Sequence, residues 1–210
     1  NGYVVKDINK IISHKITHYD GEIDFKGYKK FYIKYINDIK NPVVLGCLTH
    51  LMTDYYFNNI TYSQKAIWEN GKVVGLKLNT GKIIKCDKET VRKIKVNDFK
   101  IFADYVYKSH ELSNIKYDEK MLSINPIVKE FDITKKDVKK TIEYVNSYIE
   151  NKKNIIDKCE NKEYQIFTQK EMEEIVEKCV KFILEFLEKI NKIEIGKTAG
   201  FCYGVKRAVE

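Results

Sequence analysis

His50 and Asp54 stand four positions apart in the run VVLGCLTHLMTDYYFNN, residues 43–59. On a helix that spacing sets an imidazole and a carboxylate on one face, about 6 Å apart, a distance one divalent cation can bridge. Sorted by face, Val44, Leu48, Leu51, Met52 and Tyr55 form one stripe, and Gly46, Cys47, His50, Asp54 and Phe57 lie on another. Such a helix is too apolar to be solvated all round, and a buried ionisable group needs a partner or a metal. Imidazole with carboxylate suits zinc, which takes nitrogen and oxygen donors. The plainer reading is a satisfied core histidine, with Asp54 as its ordinary helical partner. Upstream, SHKITHYD places His14 and His18 four apart beside Asp20. The remaining histidine, His110 beside Glu111, falls at a later helix end, where a solvated histidine is common.

The elements that must position these residues are mostly helical. Residues 24–39 carry Phe25, Tyr28, Phe31, Tyr32 and Tyr35 at a 3.6 period, which reads as a core stripe. Asn41-Pro42 starts the helix of the His-Asp pair, with Asn as cap and Pro at the first helical position, and it continues to about Asn58. The period changes over residues 72–86, where two β-branched runs flank Asn79-Thr80-Gly81, a hairpin signal. Helical patterning resumes over residues 87–110, with a break expected near Asn97. Asn125-Pro126 marks a turn. Thr134 with Asp137 starts a helix to about Lys152, and Thr168 with Glu171 forms a capping box. That last helix runs to Ile190, with Ile175, Cys179, Phe182, Phe186 and Ile190 near one face. The fold class is mainly α with a small β-hairpin.

The chain has 210 residues, enough for one well-cored domain with appendages. With 38 basic and 30 acidic residues, its net charge of +8 admits an anionic partner. Its lysines, however, are interleaved with acids, and arginine, the better phosphate fork, occurs only at Arg92 and Arg207. The charge therefore does not point to nucleic acid. The cysteines Cys47, Cys86, Cys159, Cys179 and Cys202 are scattered, without a CxxC pair, as expected of thiols in a reducing, cytoplasmic compartment. No apolar run is long enough for a transmembrane segment. The sequence opens in mid-pattern at Asn1, so a preceding segment is expected.

THYDGEIDFKGYKKFY followed by NPVVLGCLTHLMTDYYFNN resembles the zinc-dependent phospholipase C family, over roughly residues 12–115. The resemblance implies a helical bundle around a zinc site, residues 1–190 forming that domain with the hairpin as an insertion. It implies that His18 is the loop ligand and that His50 and Asp54 are the helical pair; the family's upstream aspartate would precede Asn1. The sequence departs from the family's pattern at Asn58 and Asn59, where a further histidine is usual, and it lacks the later His-xxx-Glu pair. One metal site is therefore expected rather than a cluster.

Zinc with three or four protein donors and an open position brings the pKa of bound water toward ~7 and polarises a phosphoryl oxygen. Hydrolysis of a phosphodiester, such as a phospholipid headgroup ester, also needs a base or an orienting carboxylate. Asp54 and Asp20 are the catalytic candidates; His18, His50, Asp54 and His14 are the metal candidates. Lys15 is a point charge for the phosphate. The alternative is a non-catalytic helical protein of the same fold with a structural or vestigial metal site.

After Asn191 the text changes to KIEIGKTAGFCYGVKRAVE. It resembles the N-terminus of the iron–sulfur reductase family that reduces hydroxymethylbutenyl diphosphate. The resemblance implies that residues 191–210 are a truncated reductase fragment in which Cys202 matches a ligand of a [4Fe–4S] cluster. A cluster needs further cysteines, so it is expected only if the full reductase domain were present.

Overall fold

A computed structural model describes residues 14–19, 26–110, 112–119, 134–151 and 159–189. The described chain is mainly helical, with α1 (His14–Thr17), α2 (Gly27–Tyr35), α3 (Pro42–Ile60), α4 (Lys88–Ser109), α5 (Lys135–Asn151) and α6 (Gln169–Lys189). A small antiparallel sheet of β1 (Ala66–Glu69), β2 (Lys72–Lys77) and β3 (Ile83–Lys85) lies between α3 and α4 in the chain. The Asn125-Pro126 turn and the tail with Cys202 lie outside the described residues. The chain divides into two compact units, one of residues 1–56, 114–150 and 179–210, the other of residues 57–113 and 151–178.

The first unit contains the aromatic stripe. Tyr28, Phe31 and Tyr35 are buried, as the 3.6 period predicts, and Tyr32 is half-buried. The helix is shorter than the stripe suggests, because it passes at Ile36–Asp38 into a tighter 3₁₀ turn. Tyr28 packs edge-on against Phe182 and Phe186, and Phe182 also meets Tyr55 and Tyr56. Edge-on and tilted pairs of this kind are favourable through the ring quadrupoles beyond the area they bury. Asn41 caps α3 as its type predicts, its Oδ1 accepting from Val43 N at 2.9 Å. Val44, Leu48, Leu51 and Met52 bury the expected stripe. In α5 the Thr134–Asp137 capping box closes, Thr134 N donating to Asp137 Oδ2 at 2.8 Å and Asp137 N to Thr134 Oγ1 at 3.3 Å.

The second unit holds more sheet than the sequence reading expects. The β2–β3 hairpin turns through Asn79–Gly81 as expected, but a further strand, β1, precedes it. Asn70 and Gly71 join β1 to β2 with φ of 49° and 74°. Both values are left-handed, and Asn-Gly is the pair that adopts such a turn most easily.

The break expected in α4 at Asn97 is absent. Asn97 turns its amide sideways instead, donating to Asn161 O at 2.8 Å and accepting from Asn161 N. That exchange leaves the helix backbone uninterrupted. Beside it, fully buried Asp98 accepts from the backbone N–H groups of Gln165, Ile166 and Phe167 at 2.9, 2.7 and 3.1 Å. Burial pushes its carboxyl above the ordinary range, against the pull of those amides. Asn79 holds the same segment from the other hairpin turn, donating to Tyr164 O at 2.8 Å.

Asp98→Asn turns one acceptor into a donor facing those amides. It should lower stability by about 2–4 kcal/mol, read as a lower urea midpoint. An unchanged midpoint would show that the 165–167 segment is held without Asp98.

Candidate metal centre

The two helical candidates come from α3, where the apolar stripe fixes the rotation of the helix. His50 and Asp54 then stack one turn apart, with Nε2 of His50 3.3 Å from Oδ2 of Asp54. Two threonines of this largely apolar helix turn back onto it: Thr49 Oγ1 donates to Gly46 O and Thr53 Oγ1 to Thr49 O.

The third candidate arrives from a different segment. α1 ends at Thr17, and the backbone turns through His18 and Tyr19, with Tyr19 N donating to Ile16 O at 3.3 Å. The turn brings His18 Nε2 to 3.0 Å from the same Asp54 Oδ2. The two imidazoles meet edge-on, centroids 5.6 Å apart. One donor atom from each of His18, His50 and Asp54 lies within 4.8 Å of the others. A small ion about 2.0–2.2 Å from each of three tetrahedral donors spaces them by roughly 3.3 Å. The two histidine–aspartate separations, 3.0 and 3.3 Å, lie near that value, so the three nitrogen and oxygen donors could hold one small metal ion.

The site is less enclosed than the sequence reading supposes. Side-chain exposure rises from 13% at His18 through 25% at His50 to 37% at Asp54. The trio is therefore lodged on the scaffold at its histidines and open at its carboxylate. An open side is what a catalytic ion needs for water or substrate, whereas structural sites are closed by a fourth protein donor.

Sequence reasoning missed Thr17. Its side chain is buried, and its Oγ1 lies 2.8 Å from His18 Nδ1. Histidine ligands are commonly oriented through the second ring nitrogen. A hydroxyl suits both states of this site, because it donates and accepts. When Thr17 accepts from Nδ1–H, Nε2 is left with the lone pair a metal takes; when Thr17 donates, Nε2–H is free to donate to Asp54. The signal was a hydroxyl residue directly before the loop histidine.

For His14 only the helical backbone is described, and Asp20 and Cys202 lie outside the described residues. His110 ends α4 in the second unit, with Ser109 Oγ 2.9 Å from its Nδ1, and belongs to no ligand group among the described residues. Among the same residues the cysteines form no disulfide, and no helix is long and apolar enough to cross a membrane. Comparison with protein-family models, with curated proteins and with solved structures finds no match for this chain.

Thr17→Val keeps the shape and removes the hydroxyl. Zinc affinity, followed by competition with a chromophoric chelator, should fall roughly 10–100-fold, and Thr17→Ser should recover most of it. Equal affinity in all three proteins would remove Thr17 from the site.

Proposed function

We propose that this chain is a zinc-dependent phosphoric diester hydrolase of the phospholipase C type, with His18, His50 and Asp54 holding one metal ion. The observation that carries the reading is the convergence of three donors from two separate segments at a spacing suited to a small cation. The resemblance in the His18 turn and the α3 helix supplies the substrate class, a phosphodiester such as a phospholipid headgroup ester. When bound, zinc supplies an acidified water and a polarised phosphoryl oxygen.

The chain's own residues supply the rest. His18 and His50 are the neutral nitrogen donors, and Thr17 sets which nitrogen of His18 faces inward. Asp54 is the most exposed of the three. Its carboxylate sits where a diester can approach, and it can orient a water or accept its proton. Asp20 is the second carboxylate proposed for that work, and Lys15 is proposed to pair with the phosphate.

One observation favours a second reading. The 3.0 Å separation of His18 Nε2 from Asp54 Oδ2 is also that of an N–H group donating to a carboxylate, with His50 Nε2 3.3 Å from the same oxygen. A non-catalytic protein with a vestigial site would keep the trio in that form.

Metal analysis of the purified protein separates the two. One zinc per chain is expected, lost in His50→Ala and in Asp54→Asn, together with chelator-sensitive hydrolysis of a phosphatidylcholine analogue. Unchanged zinc in both variants would eliminate the site. Bound zinc without turnover on any diester would leave the structural role.

A further inference from the structure

The His18 arm is held in place by contacts that owe nothing to the metal. Gly27, the first residue of α2, lies against the backbone of that turn. A Cβ built on Gly27 would stand 2.0 Å from His18 O, 3.0 Å from His18 C and 3.4 Å from Tyr19 Cβ. Real contacts of a Cβ essentially never fall under 3.0 Å, so any side chain at position 27 must push the turn back by 1.0 Å or more (3.0 − 2.0). The hydrogen that the Cβ would replace points at the carbonyl, the geometry of a Cα–H···O contact.

Next along the turn, Tyr19 has φ of 54°, left-handed backbone that costs a residue with a Cβ about 1–2 kcal/mol. Such a conformation persists where the surroundings over-determine it. Here the Tyr19 ring packs edge-on against buried Phe31, centroids 5.4 Å apart. The Tyr19 hydroxyl oxygen is buried as well. Phe31 lies one turn beyond Gly27 on α2. The same helix therefore seats the turn at two points, a missing side chain under His18 and a ring under Tyr19.

We propose that Gly27 is a positioning residue for the metal site: its bare Cα is the seat that sets His18 Nε2 against Asp54 before any ion arrives, and Tyr19 locks the turn onto that seat. His18 is then preorganised, as His50 and Asp54 are by α3, and the site does not spend binding energy on ordering a loop ligand. For its consequence in metal affinity the proposal rests on the zinc reading above. The placement of His18 does not.

The test uses two readouts on the full chain. In the metal-free protein, long-range ¹⁵N–¹H spectra of the histidine rings, assigned with His18→Gln, report the His18 tautomer and its bond to Asp54. Cobalt titration, followed by visible ligand-field absorption, reports the assembled site. Gly27→Ala should keep the helical circular dichroism, shift the His18 ring signals while leaving those of His110 in place, and weaken cobalt binding on the order of 10–100-fold. Gly75→Ala is the control: it places a Cβ 3.0 Å from Ile84 O in the sheet and should move neither readout.

Should Gly27→Ala fail to fold, Tyr19→Asn decides the matter. Asparagine tolerates the left-handed backbone but removes the ring from Phe31, and it should produce the same selective change at His18. Unchanged His18 signals in Gly27→Ala, or in Tyr19→Asn where the first does not fold, would overturn the proposal. So would an equal change in Gly75→Ala. If the unsubstituted protein takes no cobalt, the metal reading fails while the ring spectra still decide the role of Gly27.

Discussion

One carboxylate oxygen, Asp54 Oδ2, faces two imidazole nitrogens at once, and the local architecture is arranged around that demand. The oxygen has lone pairs enough for two N–H donors, or for one bond to a cation that both rings also bind. As a contribution to stability the arrangement is small. Partly exposed ion pairs are worth about 0–1 kcal/mol, and fixing long-range partners costs side-chain entropy. Stability alone is a weak reason to bring a histidine across 36 residues of sequence to meet Asp54. A ligand that needs three converging donors is a better one.

The two routes by which donors reach that oxygen differ in physical character. His50 and Asp54 share a helix whose cap, buried stripe and back-bonded threonines fix its rotation, so their separation follows from helical geometry alone. His18 comes from a turn, and a turn must be given rigidity by its neighbours. Gly27, Phe31 and Thr17 supply it through a close backbone approach, a ring contact and a bond to the far ring nitrogen. None of the three touches Asp54 in the contacts described above. Their effect is on which nitrogen of His18 faces the aspartate and from where.

Much of this was legible in the sequence. Asn41-Pro42, Thr134 with Asp137 and the Thr168–Glu171 box are local chemistry, and local chemistry survives folding, so those helix starts appear where their residue types put them. The His-xxx-Asp pair was legible because helical spacing is fixed. The third candidate, His18, stood out by its spacing from His14 beside Asp20, but only the resemblance set it with His50 and Asp54, since no periodicity links a turn to a helix. Strand β1 is not legible although Asn70-Gly71 marks the turn that follows it, because its four residues show no alternation of buried and exposed positions. Asn97 was misread as a breaker because its intrinsic preference for turns is overridden when its amide finds Asn161. Gly27 could not be read at all: a glycine shows in the sequence, but the carbonyl it must accommodate shows only in three dimensions.

The two units employ the same residue types to different ends. In the second unit Asn79, Asn97 and Asp98 spend their polar atoms on the backbone of residues 161–167, and Asp98 is fully buried in doing so. A carboxylate that accepts three amides has few lone pairs left for a ligand, and burial closes it to solvent. Asp54 is the reverse case. It lies against the imidazoles of His18 and His50, and its side chain is partly exposed. Asp98 is the fully buried carboxylate, yet it is the partly exposed Asp54 whose surroundings suit chemistry. Exposure combined with rigid placement marks the candidate centre more clearly than burial would have done.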